Sequence, residues 1–221
     1  KTKPKKSKES KKNNNDSDSE DDTNGEILQV EFTFHDMAED FYHGIHTLLK
    51  STHPLHAPHS QALVDAILEN VSVGTVISTE GDEEHNVFGF ASVLNVQTHK
   101  EVDCVKSLID ICLSHVPEEH KRELSVVLSG KTKRPAGFLI HGRMFNLPLE
   151  IVEVYHQQLV LDMEWAVEHA EGGEEERKSL DFGVFLRLAP CVRTSGNGGV
   201  VYNYFDDEAM ADHAEFVYAL P

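Results

Sequence analysis

The sequence predicts a single mixed α/β domain over residues 26–221, a twisted mixed sheet with helices on both faces, preceded by a charged tail over 1–25. Three observations predict it. Val-, Phe- and Ile-rich segments of strand length recur along the chain, amphipathic segments with three-to-four spacing separate them, and residues 1–25 contain no hydrophobic side chain. A segment with nothing to bury cannot offset its ordering entropy, so 1–25 is expected to be disordered.

The first strand is expected in ILQVEFTF, where apolar and polar residues alternate. Asp36 then has the chemistry of a helix N-cap, and Met37, Phe41, Ile45, Leu48 and Leu49 share one helical face. Pro54 and Pro58 break the chain before a second helix, from Ser60 to about Asn70. VGTVIS (73–78) reads as a strand, TEGDEEHN (79–86) as an acidic loop, and VFGFASVLNV (87–96) as a central strand too apolar for a surface helix. Two helices come next, near 100–115 and 117–129, the second opened by Pro117. AGFLIH (136–141) is a buried strand. The longest helix, 148–170, places Ile151, Tyr155, Leu159, Met163 and Ala166 inward, flanked by Val152, Leu161 and Trp165. A polar linker (170–179), a long strand (181–192), a turn (194–199) and a pairing strand (200–205) complete the sheet. The last segment reads as a short helix and then a strand.

Charge narrows the function. The chain has 38 Asp+Glu against 20 Lys+Arg, a net charge of −18. Residues 1–22 hold seven Lys and six acidic residues, leaving 13 basic and 32 acidic residues in the body, a net of −19. An acidic body repels phosphates and anionic lipid and attracts basic proteins, so no direct nucleic-acid or membrane binding is expected. No run approaches the roughly 20 apolar residues of a membrane helix, and the N-terminus has no apolar signal core. Cys104, Cys112 and Cys191 make no disulfide framework; the first two read as small buried hydrophobes, and the usage fits a reducing compartment.

Within the tail, Lys1, Lys3, Lys5, Lys6, Lys8, Lys11 and Lys12 form a candidate nuclear-localisation run. Ser17 and Ser19 each precede an acidic residue by three positions (Glu20 and Asp22), the pattern an acidophilic kinase reads, so both are phosphorylation candidates.

Catalytic and metal motifs are sparse. There is no G-x-S-x-G and no G-x-x-x-x-G-K-S/T. Five of the 14 histidines fall at three-residue spacing, His43 and His46 on a helix and His53, His56 and His59 in HPLHAPH. They read as surface histidines, with zinc as the sharper alternative. Arg193, Gly196 and Gly198 in RTSGNG fit an R-x-x-G-x-G pyrophosphate loop, but a strand is expected next, where a phosphate cradle needs a helix N-terminus. The acidic runs 80–84 and 174–176 read as solvated loops or docking points for basic segments. No catalytic residue, metal or cofactor is assigned.

EFTFHDMAEDFYHGIHTLL, VGTVI, VFGFASVLN and KRPAGFLIHGRMFNLPLEIVEVYHQQL resemble, in this order and from about residue 28 to 160, the BCCIP family; FGVFLRL and 200–205 are compatible. The resemblance implies a GNAT-like α/β fold without a working acetyl-CoA site. It also implies a non-catalytic protein-binding factor in the nucleus that shuttles to the cytoplasm. Fungal members escort a basic large-subunit ribosomal protein and aid nuclear export, so the implied partners are such a client and the nuclear transport machinery. Animal members imply instead an adaptor in DNA repair and cell-cycle control; a GNAT-type N-acetyltransferase is the remaining alternative. The family continues beyond the position of Pro221, so a truncated C-terminus with an uncovered sheet edge is expected.

Overall fold

The computed structural model describes residues 30–70, 73–194 and 199–220. Five strands lie side by side in chain order: β1 (Phe32–Asp36), β2 (Gly74–Thr79), β3 (Gly89–Asn95), β4 (Ala136–Arg143) and β5 (Val184–Arg187). The first four pair antiparallel and β5 pairs parallel to β4. Every residue of β3 and β4 is buried, which is why their sequences run apolar without alternation. The parallel β4–β5 pair demands a crossover. It is supplied by α6 (Leu149–Glu168) and α7 (Gly173–Leu180).

Helices cover both faces. On one, α1 (Tyr42–Thr52), α2 (Ser60–Glu69), α4 (Asp103–His115) and α5 (Glu118–Leu128) bury Ile45, Leu49, Leu63, Ile67 and Leu108 against Phe90, Leu94 and Ile140 of the sheet. A short α3 (Val96–His99) leaves β3 under the Asn95 side chain, which accepts from the Gln97 and Thr98 amides. On the other face α6 packs Val152, Tyr155, Leu159 and Ala166 against Ile77, Ala91 and Val93, each large side chain contributing about 1.5–3 kcal/mol by burial. The Tyr155 hydroxyl donates to the Phe90 carbonyl, so the one polar atom of that side chain is satisfied within the core. Gly44 lets α1 approach the loop before β3: a Cβ there would lie 2.3 Å from Val87 Cγ2.

The structure departs from the sequence reading in identifiable ways. Asp36 is the last residue of β1, paired with Thr75, and caps no helix. A single 3-10 turn, Glu39–Phe41, precedes α1. The segment read as a polar linker contains α7, an exposed helix with three glutamates in its first turn and Arg177 and Lys178 in its last, as the helix dipole favours. The long strand 181–192 is broken at Leu188–Pro190, because proline cannot donate to a ladder. Its second half is β6 (Cys191–Arg193), which pairs with β7 (Val200–Tyr202) in a separate two-stranded sheet. Phe205 belongs to α8 (Phe205–His213) and not to a strand. No strand comes after α8 among the described residues; Phe216, Tyr218 and Leu220 pack on the helical core instead, and Tyr218 donates to the Cys112 carbonyl at 3.0 Å. The outer side of β5 has no strand partner among the described residues.

Candidate protein-binding groove

Two groups of carboxylates distinguish themselves, one closed and one open. The closed group sits where α8 meets the carboxyl ends of β4 and β5. Arg143 ends β4, and Arg187 ends β5 beside Leu139 in the parallel register, four residues short of Arg143 along the neighbouring strand. The first turn of α8 presents Asp206 and Asp207, 5% and 1% exposed. Arg143 Nη2 donates to Asp206 Oδ1 at 2.6 Å, and His156 Nε2 lies 3.0 Å from Oδ2. Arg187 donates from Nε and Nη2 to the two oxygens of Asp207 at 2.9 and 3.2 Å, and His141 Nε2 lies 3.3 Å from Oδ1. Tyr204 donates to the Arg143 carbonyl, and its ring lies 4.5 Å below the Arg143 guanidinium. Burial alone would raise the pKa of both aspartates. The hydrogen bonds from His156 and Arg143 to Asp206, and the close His141 ring with the charge and hydrogen bonds of Arg187 at Asp207, outweigh it and hold both below the usual carboxylate range.

Histidines line the same seam. Burial first, and then the Arg187 charge, push His141 and His53 down to about 4, so both are neutral at pH 7. The His53 ring nitrogen Nε2 donates to the Leu188 carbonyl at 2.6 Å, and its ring stacks on His56 with centroids 3.7 Å apart. His53 and His56 are therefore core residues, which corrects their reading as surface loop histidines: the turn after α1 folds inward and sets the two rings against β4. His43, His46 and His59 remain outside that stack. No group of three or more His, Cys, Asp or Glu among the described residues is arranged to hold a metal. Cys104 and Cys112 are buried in the helical core, Cys191 is exposed, and burial pushes the Cys112 thiol up to about 11.

The open group lies along the C-terminal half of α6. A groove of about 930 Å³ runs between that half-helix, the end of β1, the start of β2 and α7. Asp36, Asp162, Glu164, Glu168, Glu171 and Glu176 line it, and no Lys or Arg does. None of the six forms an ion pair among the described residues. Asp162 Oδ1 accepts from Gln158 at 2.8 Å, while Oδ2 is buried without a hydrogen-bond partner. Burial raises the Asp162 pKa, and the Asp36 charge adds to the rise. Leu161 and Trp165 stand on the same wall, 55% and 57% exposed, with the indole stacked on His169 at 4.5 Å. This corrects their placement beside the inward stripe of α6: that stripe ends at Ala166, and the indole projects outward. A second hollow, about 440 Å³ between α1 and α2, is of mixed sign, with Lys50 facing Asp65 and Asp103.

Sequence reasoning singled out helix 148–170 but not this groove, because no spacing rule shows that Asp36 and Glu176, 140 positions apart, line one groove. Arg193 is the last residue of β6, in an exposed hairpin; Gly196 and Gly198 lie outside the described residues. Strand β7 comes next in the chain, and the connection from β4 to α6, residues 144–148, contains no glycine. Neither place offers the glycine-opened helix N-terminus that a pyrophosphate needs. The Lys-rich run, Lys1 to Lys12, and Ser17 and Ser19 lie outside the described residues. No helix among the described residues is long and apolar enough to cross a membrane.

The chain matches known proteins over this same framework. The BCCIP family model matches residues 27–199. A protein of Arabidopsis thaliana named Protein BCCIP homolog is 29% identical over 79% of this chain and 53% of its own length. Protein bcp1 of Aspergillus fumigatus is 31% identical over 69% of this chain and 54% of its own. The human BRCA2 and CDKN1A-interacting protein is 30% identical over 61% of this chain and 46% of its own. The chain thus spans about half the length of these relatives. The crystal structure of BCP1 from Saccharomyces cerevisiae shares the fold, with a TM-score of 0.61 at 18% identity over 91% of this chain and 81% of that one. The matched span takes in the sheet, both helical layers and the whole of α6, and this chain belongs to the BCCIP family.

Proposed function

We propose that the chain is a non-catalytic, nuclear protein-binding factor that escorts a basic protein, a ribosomal protein of the large subunit in particular, and that the α6 groove receives a Lys/Arg-rich segment of that client. The observation that carries this reading is the groove itself: six carboxylates without a Lys or Arg, around an exposed tryptophan. A bound guanidinium or ammonium gains Coulomb attraction at the rim and a cation–π contact of about 0.5–1 kcal/mol over the Trp165 face. The Asp36 charge opposes that of Asp162, so a cationic client also relieves a cost there. The acidic body steers cationic clients toward the groove and away from nucleic acid. Nuclear transport machinery is the second partner class, through Lys1 to Lys12, with Ser17 and Ser19 as phosphorylation sites beside it.

Trp165 is the only tryptophan of the chain. Titration with an Arg/Lys-rich peptide at low salt is expected to change its fluorescence saturably, with affinity falling as salt rises. Unchanged fluorescence and no binding at low salt would remove the reading. An adaptor role in repair and cell-cycle control is the second reading, favoured by the human relative's name, which states interaction with BRCA2 and CDKN1A.

A further inference from the structure

The body of the protein is anionic, but its first twelve residues are not. KTKPKKSKESKK carries seven Lys and one Glu, a net of +6, against a groove lined by six carboxylates. The chain enters the fold close to that groove. Asp36, which lines it, is the last residue of β1, and Phe32 is four residues earlier, a rise of about 13 Å. Residues 13–31 number 19 and span at most about 65 Å when extended. The α6 wall from Gln158 to His169 is about 18 Å long, room for five or six residues of extended chain. Lys3–Lys8 places four ammonium groups in six residues, matching both length and sign.

We infer that the Lys-rich segment 1–12 of this same chain docks in the α6 groove in the absence of a client, so that it acts as a built-in competitor which a client must displace. The inference rests on the groove reading and adds the regulation of that site. Four features select this occupant. Its charge complements the groove. The linker reaches it with length to spare. Asp162 stands half-buried on that wall with its charge opposed by Asp36, and the Trp165 ring beside it is more than half exposed. Tethering also gives a segment that can reach its site an effective concentration on the order of millimolar, above that of most free competitors.

The competition has a functional consequence. Weakly basic proteins fail to displace the segment, whereas a client with a denser Arg/Lys face succeeds, so the tail sets a threshold of charge for entry. A transport factor that bound Lys1 to Lys12 would free the groove, and a client in the groove would free the Lys run. The two binding events would then favour one another, by the reciprocity that any linkage obeys.

The test uses the full chain and its Lys3→Gln/Lys5→Gln/Lys6→Gln/Lys8→Gln variant, whose substitutions lie outside the described residues. Each is titrated at low salt with the free peptide KTKPKKSKESKK, monitored by Trp165 fluorescence. The variant is expected to bind the peptide about threefold or more tightly than the native chain, with the difference vanishing at high salt. Equal affinity in the two chains overturns the docked tail and leaves the groove reading standing. Absence of binding in both, with Trp165 unmoved, overturns the tail and the groove together. As a second measurement, carbodiimide coupling of the native chain is expected to join residues 1–12 to carboxylates at 162–176. Coupling spread evenly over the acidic surface contradicts the inference.

Discussion

The seam under α8 and the groove along α6 hold the same functional group in opposite states. Asp206 and Asp207 are buried, and each is met by an arginine and a histidine. The six groove carboxylates sit around an exposed aromatic ring without a Lys or Arg among them. A carboxylate that the fold has already paired has little attraction left for a partner, whereas one without an ion pair keeps it. Acidic composition alone does not separate these roles; the pairing does. The seam therefore belongs to stability and the groove to binding, and substitutions in the two should have opposite signatures.

The largest effect is expected at the seam. Asp206→Ala leaves the Arg143 guanidinium, 2% exposed, buried without its carboxylate, at a cost of about 3–5 kcal/mol. Urea unfolding monitored by circular dichroism measures it, and a loss under about 1 kcal/mol would show that the seam is open to water. Acid comes next. The folded pKa of His53 and of His141 is about 4, below the unfolded value near 6.5, so the unfolded chain binds more protons between those limits. Stability is then lost as pH falls through that window, roughly 3 kcal/mol for the two rings between pH 6.5 and 5. Asp206 and Asp207, held below their usual range, lose their contribution only at lower pH still. A stability flat between pH 7 and 5 would contradict the neutral, buried histidines.

The groove substitutions should act on binding instead. Trp165→Ala removes a half-exposed ring and is expected to weaken a basic peptide by about two- to fivefold, with a melting temperature close to that of the native chain. The smallest effect is on stability at Asp162→Asn. Removing a charge that Asp36 opposes should change unfolding free energy by no more than about 0.5 kcal/mol, in either direction. A large loss there would mean that Asp162 has a structural partner like those in the seam.

Most of the architecture was legible in the sequence, and the exceptions are instructive. Strands 73–78, 87–96 and 136–141 and helix 148–170 declare themselves because a fully buried strand and an amphipathic helix leave different periodicities. The helix α7 was hidden because GEEERKSL has no buried residue to set a period; its charges fit the dipole, not a core. His53 and His56 were misread because polarity and two prolines suggest a surface loop, while burial was set by the fold of the turn. Asp206 and Asp207 fell in the short helix expected of the last segment, and nothing in the sequence set them apart. Their arginine partners lie 63 and 20 positions away, on two strands that only the fold sets side by side. The groove has the same origin: α6 was visible, but its acid-lined wall needs β1, β2 and α7 in place.

The most direct test of a local groove, as against mere net charge, compares two double reversals in the full chain. Glu164→Lys/Glu168→Lys alters the groove, and Glu119→Lys/Glu123→Lys alters the exposed face of α5 by the same net charge. Binding of an Arg/Lys-rich peptide is measured for both by titration calorimetry at fixed salt. The account predicts a loss of about tenfold or more, near 1.4 kcal/mol, for the groove variant and little change for the α5 variant. Equal losses in the two would contradict it, because the protein would then attract basic partners through its overall charge alone.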